Sequence, residues 1–134
     1  MLSLTESLKS EPKTIVIVDD TLDLTCAYQQ ILELKGYRVF LAASGPEALE
    51  LLSRIPSPNL LLVDFLMPIM NGVDFLKELK KQNPEIFEIT PIVGFSGLFS
   101  GSPLLIEMEL MVCRVVEKPS GIEEVLRLVN ETIR

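Results

Sequence analysis

Five short runs of aliphatic and β-branched residues set the limits on what this chain can become: Thr14–Val18, Arg38–Ala42, Leu60–Val63, Ile92–Phe95 and Val112–Val116. Each run stops at turn or acidic residues, and this pattern predicts five strands. Their apolar residues are consecutive rather than alternating, so each strand has to be covered on both faces, as strands of a parallel sheet are. The intervening segments carry helical spacing, as in Leu22, Cys26, Gln29, Gln30 and Leu34, then Ala48, Leu49 and Leu52, then Val73, Leu76 and Leu79. Punctuation agrees: Ser44 precedes Pro46 and Glu47, Ser102 precedes Pro103, Pro119 precedes Ser120, and Gly36 follows the first helix. Parallel neighbours need right-handed crossovers. The expected fold is therefore a doubly wound α/β domain, a five-stranded parallel sheet in the flavodoxin-like order 2-1-3-4-5 with helices on both faces. Sheets of this kind bind ligands at the carboxyl ends of their strands.

Composition removes several classes of function. A chain of 134 residues has room for one core, divided here into a flexible leader over residues 1–12 and a single domain over 13–134. The net charge is −7 and the twelve Lys and Arg are scattered, which argues against a nucleic-acid surface. No apolar run reaches the roughly 20 residues a bilayer helix requires, and the start lacks signal-peptide character. The expectation is a soluble, cytoplasmic protein with no membrane partner. Cys26 and Cys113 stand far apart in apolar settings and are expected to be buried thiols. With no histidine in the chain, chemistry falls to carboxylates, hydroxyls and lysine.

Those groups collect at the strand ends. The first strand runs into Asp19 and Asp20, and the third into Asp64. In the expected strand order these are neighbours, and three adjacent carboxylates repel unless a hard cation such as Mg2+ offsets them. The fourth strand leads into Ser96 and Gly97, and the fifth into Glu117, Lys118 and Pro119. A hydroxyl donor and a compact ammonium at one edge form a cradle for an anion, and proline holds its predecessor Lys118 extended.

These residues resemble the response-regulator receiver domain family, CheY-like, over roughly residues 13–133. The resemblance extends to the loop Asp64-Phe65-Leu66-Met67-Pro68-Ile69-Met70-Asn71-Gly72 and to the spacing from Ser96 to Lys118. It implies a single-domain response regulator in a two-component phosphorelay. Asp64 is then the phosphoryl acceptor, Asp20 a direct magnesium ligand, Asp19 a ligand through water, and the Leu66 carbonyl a further ligand. Lys118 and Ser96 contact the phosphoryl group, joined by the Gly97 amide. The donor is a histidine kinase or phosphotransfer protein. A downstream protein target, or a second copy after phosphorylation, reads the face built from Pro103–Met111, Val112–Val116 and Ile122–Ile133. The chain modifies only itself and is not expected to be an enzyme acting on an external substrate.

Three features depart from the family pattern. Val115 occupies the place where many receivers carry an aromatic switch residue, so the output surface must respond differently. Leu66 stands where a polar side chain often orients water, which predicts slow loss of the phosphoryl group. The segment Leu104–Met111 is apolar on more than one face, either covered in part by Leu98 and Phe99 or open for docking or dimerisation. A phosphorylation-independent interaction module is the alternative function. A flavodoxin or a nucleotide enzyme is disfavoured, because neither GxGxxG nor GxxxxGK[ST] occurs.

Overall fold

The computed structural model describes residues 11–67, 69–97, 103–112, 114–117 and 121–133. In chain order the elements are β1 (Thr14–Val18), α1 (Leu22–Leu34), β2 (Arg38–Ala42), α2 (Gly45–Leu52), β3 (Leu60–Asp64), α3 (Gly72–Gln82), α4 (Pro84–Ile89), β4 (Ile92–Ser96), α5 (Pro103–Glu109), β5 (Arg114–Glu117) and α6 (Ile122–Thr132). The strands lie in the order β2-β1-β3-β4-β5, and every pair is parallel. The expected doubly wound sheet is the one observed.

Strand parity divides the core in two. On one face Val16, Val18, Leu61 and Val63 pack with Ala48 and Leu52 of α2, Val73, Leu76 and Leu79 of α3, and Met108 of α5. On the other face Ile15, Ile17, Leu60 and Leu62 pack with Tyr28 and Leu32 of α1 and with Val125, Leu128 and Val129 of α6. Each fully buried aliphatic side chain contributes about 1.5–3 kcal/mol, and β1 and β3 supply eight of them between Ile15 and Val63. That density fixes the centre of the sheet, and with it the strand ends that carry the acids.

Helix boundaries follow local chemistry. Ser44 accepts a hydrogen bond from the Glu47 N–H at the start of α2 (3.3 Å), and Asn71 accepts from the Asp74 N–H at the start of α3 (2.9 Å). Gly36, at φ +97°, follows the end of α1 in the left-handed region open to glycine.

Several expectations are corrected. α1 turns Thr25, Tyr28 and Leu32 inward, whereas Leu22 and Leu34 are exposed. Cys26 is likewise exposed rather than buried, and Cys113 lies outside the described residues. β3 and β4 each run one residue further, to Asp64 and Ser96, and β5 begins at Arg114 rather than Val112. Val112 instead packs on the core from the turn after α5. An additional helix, α4, separates α3 from β4: Pro84 begins it, the Asn83 side chain accepts from the Ile86 N–H (3.3 Å), and Ile86 alone is buried. Residues 1–10, most of the expected leader, are outside the described residues, as are Leu98, Phe99, Ser102, Pro119 and Ser120.

Candidate phosphoryl-acceptor site

The carboxyl edge of β1 is anchored by its neighbour. The Asp19 N–H donates to the Ala42 carbonyl at the end of β2 (3.0 Å), so the backbone leaves the sheet only after Asp19. The Asp19 Oδ1 then accepts from the Thr21 N–H (2.9 Å), a side-chain turn two residues long. The Asp20 carbonyl accepts from the Leu22 N–H (3.0 Å), and α1 starts at once. This tight exit leaves Asp19 buried and Asp20 in the open bend.

Asp64 is the last residue of β3 and sits in register with Phe95 of β4. The next residue continues the pairing, its Phe65 N–H donating to the Phe95 carbonyl (2.9 Å), and the Phe65 carbonyl in turn accepts from the Gly72 N–H (2.8 Å). Gly72 is required there by close approach: a Cβ would lie 3.0 Å from the Asp64 carbonyl oxygen and 3.1 Å from the Phe65 Cα. α3 therefore begins against the end of β3. Between them, Leu66 is half exposed at 54 %, and Ile69 has φ +71°. A β-branched residue in that region is strained, and it lies in the loop that leads from β3 to α3.

The result is a cluster in which Asp19, Asp20 and Asp64 each bring a carboxylate oxygen within 4.8 Å of the others. Asp19 is 3 % and Asp64 5 % exposed. Like charges about 4 Å apart cost roughly 1 kcal/mol per pair in water and about 4 kcal/mol near a protein surface. A divalent cation removes that cost, and an all-oxygen donor set with one open side suits a hard ion such as magnesium. The donor chemistry thus fits the metal expected here.

Of the other expected site residues, Ser96 ends β4 in register with Glu117 of β5, and its side chain is outside the described atoms. Gly97 follows, exposed, and a Cβ there would meet nothing within 4 Å, so packing does not demand a glycine. Lys118, next after Glu117, lies outside the described residues. Val115 is half-buried on β5 and packs against the α3–α5 side of the core. The anchoring of Asp19 by Thr21 was missed in the sequence, although an Asp followed two residues later by a helix start carries that signal.

A family model described as the response regulator receiver domain matches residues 15–130. The transcriptional regulatory protein CpxR of Escherichia coli (strain K12) is 32 % identical over 120 residues, covering 90 % of this chain and 49 % of CpxR. The chain thus spans about half the length of that curated relative. Among solved structures, a CheY-like response regulator receiver domain protein from Methanospirillum hungatei JF-1 superposes with a TM-score of 0.76 at 27 % identity, covering 91 % of this chain and 94 % of that one. The receiver domain of sensor histidine kinase PA1611 from Pseudomonas aeruginosa PAO1 superposes with a TM-score of 0.74 at 21 % identity, covering 91 % and 98 %. That protein carries a magnesium ion coordinated in its active-site cleft.

Proposed function

The chain belongs to the response regulator receiver domain family, the receivers of two-component signalling, and from that premise we propose that it accepts a phosphoryl group on Asp64. The observation that carries this reading is the trio of carboxylates within 4.8 Å at the carboxyl edge of the sheet. The donor is a histidine kinase or phosphotransfer protein, and residues 13–134 act as the receiver unit. A cytoplasmic location goes with this reading. Among the described residues no helix is long and apolar enough to cross a membrane.

Asp20 and Asp64 would hold Mg2+ directly and Asp19 through water, and the Leu66 carbonyl would complete the protein's share. When bound, the ion would supply positive charge to offset the phosphoryl oxygens as they load with negative charge. Asp64 provides the nucleophile: a carboxylate oxygen bonds to phosphorus as the bond from phosphorus to the donor nitrogen breaks in line. Lys118 pairs with a phosphoryl oxygen, while the Gly97 N–H and the Ser96 hydroxyl donate to the others. Burial of Asp19 and Asp64 keeps these charges in a low-dielectric setting, where each fixed donor acts more strongly than in water. The chain modifies itself and turns over no external metabolite. A downstream protein, or a second copy after phosphorylation, reads the α5–β5–α6 face that includes Val115.

Intact-mass spectrometry after incubation with acetyl phosphate and Mg2+ tests the reading. One phosphoryl adduct is expected on the wild type, and none on Asp64→Asn or in the presence of chelator. A folded wild type that takes no adduct and binds no magnesium would instead point to a phosphorylation-independent interaction module.

A further inference from the structure

α5 buries Leu105 and Met108 and leaves Ile106 and Leu110 exposed at 51 % and 83 %. Leu110 continues the helical hydrogen bonding one residue past Glu109, its N–H donating to the Ile106 carbonyl (3.3 Å). Residues four apart lie on one face, so Ile106 and Leu110 form an outward stripe. Glu107 and Glu109 fall about 80° to either side of it. Beyond Leu110 the stripe enters a groove of about 320 Å³ lined by Phe87, Ile92, Met111 and Val112, with Glu88 among its walls. The additional helix α4 makes one bank of this groove. Two lysines of α3 approach its margin: Lys77 pairs with Glu107 (2.5 Å), and the Lys80 Nζ stands 5.6 Å from the Phe87 ring centre. Glu109 and Glu88 are exposed.

We propose that this stripe and groove dock a basic amphipathic helix of a partner protein, its apolar residues at i and i+4 on Ile106 and Leu110 and its Lys or Arg flanks toward Glu88 and Glu109. Glu107 is already neutralised by Lys77, so the acidic complement is the exposed pair Glu88 and Glu109: burial of the strip supplies affinity, and these two carboxylates select sign and register. A second copy of this chain fits this stripe poorly, which leaves any pairing of phosphorylated copies to β5 and α6. A two-fold interface brings the same patch to itself, which would set the exposed Glu109 and Glu88 against like charges in a chain of net charge −7. The inference deepens the reading of α5 as part of the output face by naming the partner's chemistry, and it does not depend on phosphoryl transfer.

The test uses the full chain and a fluorescein-labelled synthetic helix with leucines at i, i+4 and i+7 flanked by lysines, alongside the same peptide with every lysine changed to glutamate. Saturable binding of the lysine peptide is expected, with amide shifts confined to α5 and Phe87–Glu88. Leu110→Asp should weaken it by about tenfold or more, as loss of a central apolar anchor does. Leu110 is so exposed that this variant folds normally. The Glu88→Lys/Glu109→Lys variant should reverse the preference between the two peptides. Failure of the lysine peptide to bind, equal binding of both peptides, a footprint elsewhere, or no effect of Leu110→Asp would each overturn the proposal. So would a concentration-dependent dimer in sedimentation that Leu110→Asp abolishes, because the stripe would then belong to a second copy. The phosphoryl adduct, measured separately by mass, is unaffected by any of these outcomes.

Discussion

The centre of the sheet and its β5 margin are built differently. β1 and β3 at its centre are buried along nearly their whole length, and each hands its terminal acids to an edge fixed by backbone hydrogen bonds. β5, at the margin, has no fully buried residue among Arg114–Glu117, and its neighbour α5 carries an exposed apolar stripe. A phosphoryl site needs oxygens held within fractions of an ångström, which dense packing supplies. A surface that partners read must rearrange at low cost, so it belongs where little packing is lost. On the proposed reading, chemistry and communication are separated by depth in the sheet.

That contrast can be broken by substitution. The largest effect is expected from Leu62→Ala on β3, which leaves a cavity in the α1–α6 core and should cost about 2–5 kcal/mol in urea unfolding, against about 1 kcal/mol or less for Val116→Ala on β5. Equal losses would contradict the division. Gly72→Ala comes next: its methyl meets the Asp64 carbonyl and the Phe65 backbone, and the strain should cost about 1–3 kcal/mol. The same change moves the end of β3, so the rate of adduct formation with acetyl phosphate should fall with stability. A variant that loses stability yet phosphorylates at the wild-type rate would detach the acceptor from the α3 junction.

A smaller effect sharpens the chemical side. Leu66→Asn sets an amide beside the acceptor, able to orient water without acting as a base. The adduct should then hydrolyse about three- to tenfold faster, well below the 10²–10⁴ of general-base catalysis. An unchanged lifetime, followed by mass after removal of acetyl phosphate, would count against a role for this position.

The smallest effect concerns the margin. The hydrogen bond from Lys77 to Glu107, and then the charge of Glu107, raise the lysine above its ordinary value of 10.5, while desolvation works weakly the other way. A raised lysine contributes its stability in full below the unfolded value of 10.5 and loses it as pH climbs through the higher folded value. Lys77→Met should thus lower the urea midpoint slightly at pH 7, with the difference fading in high salt and in strong alkali. A gap that persists in both would mean that the side chain acts through packing.

Much of this was legible in the residues, for identifiable reasons. β1 and β2 began and ended where the β-branched runs did, because nothing nearby competed for those side chains. The acids were legible as a group because a parallel sheet brings all its carboxyl ends to one edge. β5 was read two residues too early, since Val112 is as apolar as a strand residue but packs from a turn. α1 misled more, because Leu22, Cys26 and Leu34 share a helical period yet face outward, and the buried stripe uses Thr25 and Tyr28 instead. Apolar character permits burial without compelling it. α4 is six residues long with a single buried side chain, too short for any period to register, although its Asn-Pro-Glu start carried a capping signal. The side chains of Ser96 and Lys118, read from the sequence as part of the site, lie outside what the structure describes.

Met108, wholly buried, lies so close over Gly94 of β4 that a Cβ on that glycine would come 2.1 Å from its Cε. Its thioether is therefore shielded from peroxide unless an excursion lifts α5 from the sheet. Sulfoxide at this one residue would accumulate as a chemical tally of those excursions. Met108, seated over the strand position two before Ser96, would thus act as a clock for how often α5 lets go.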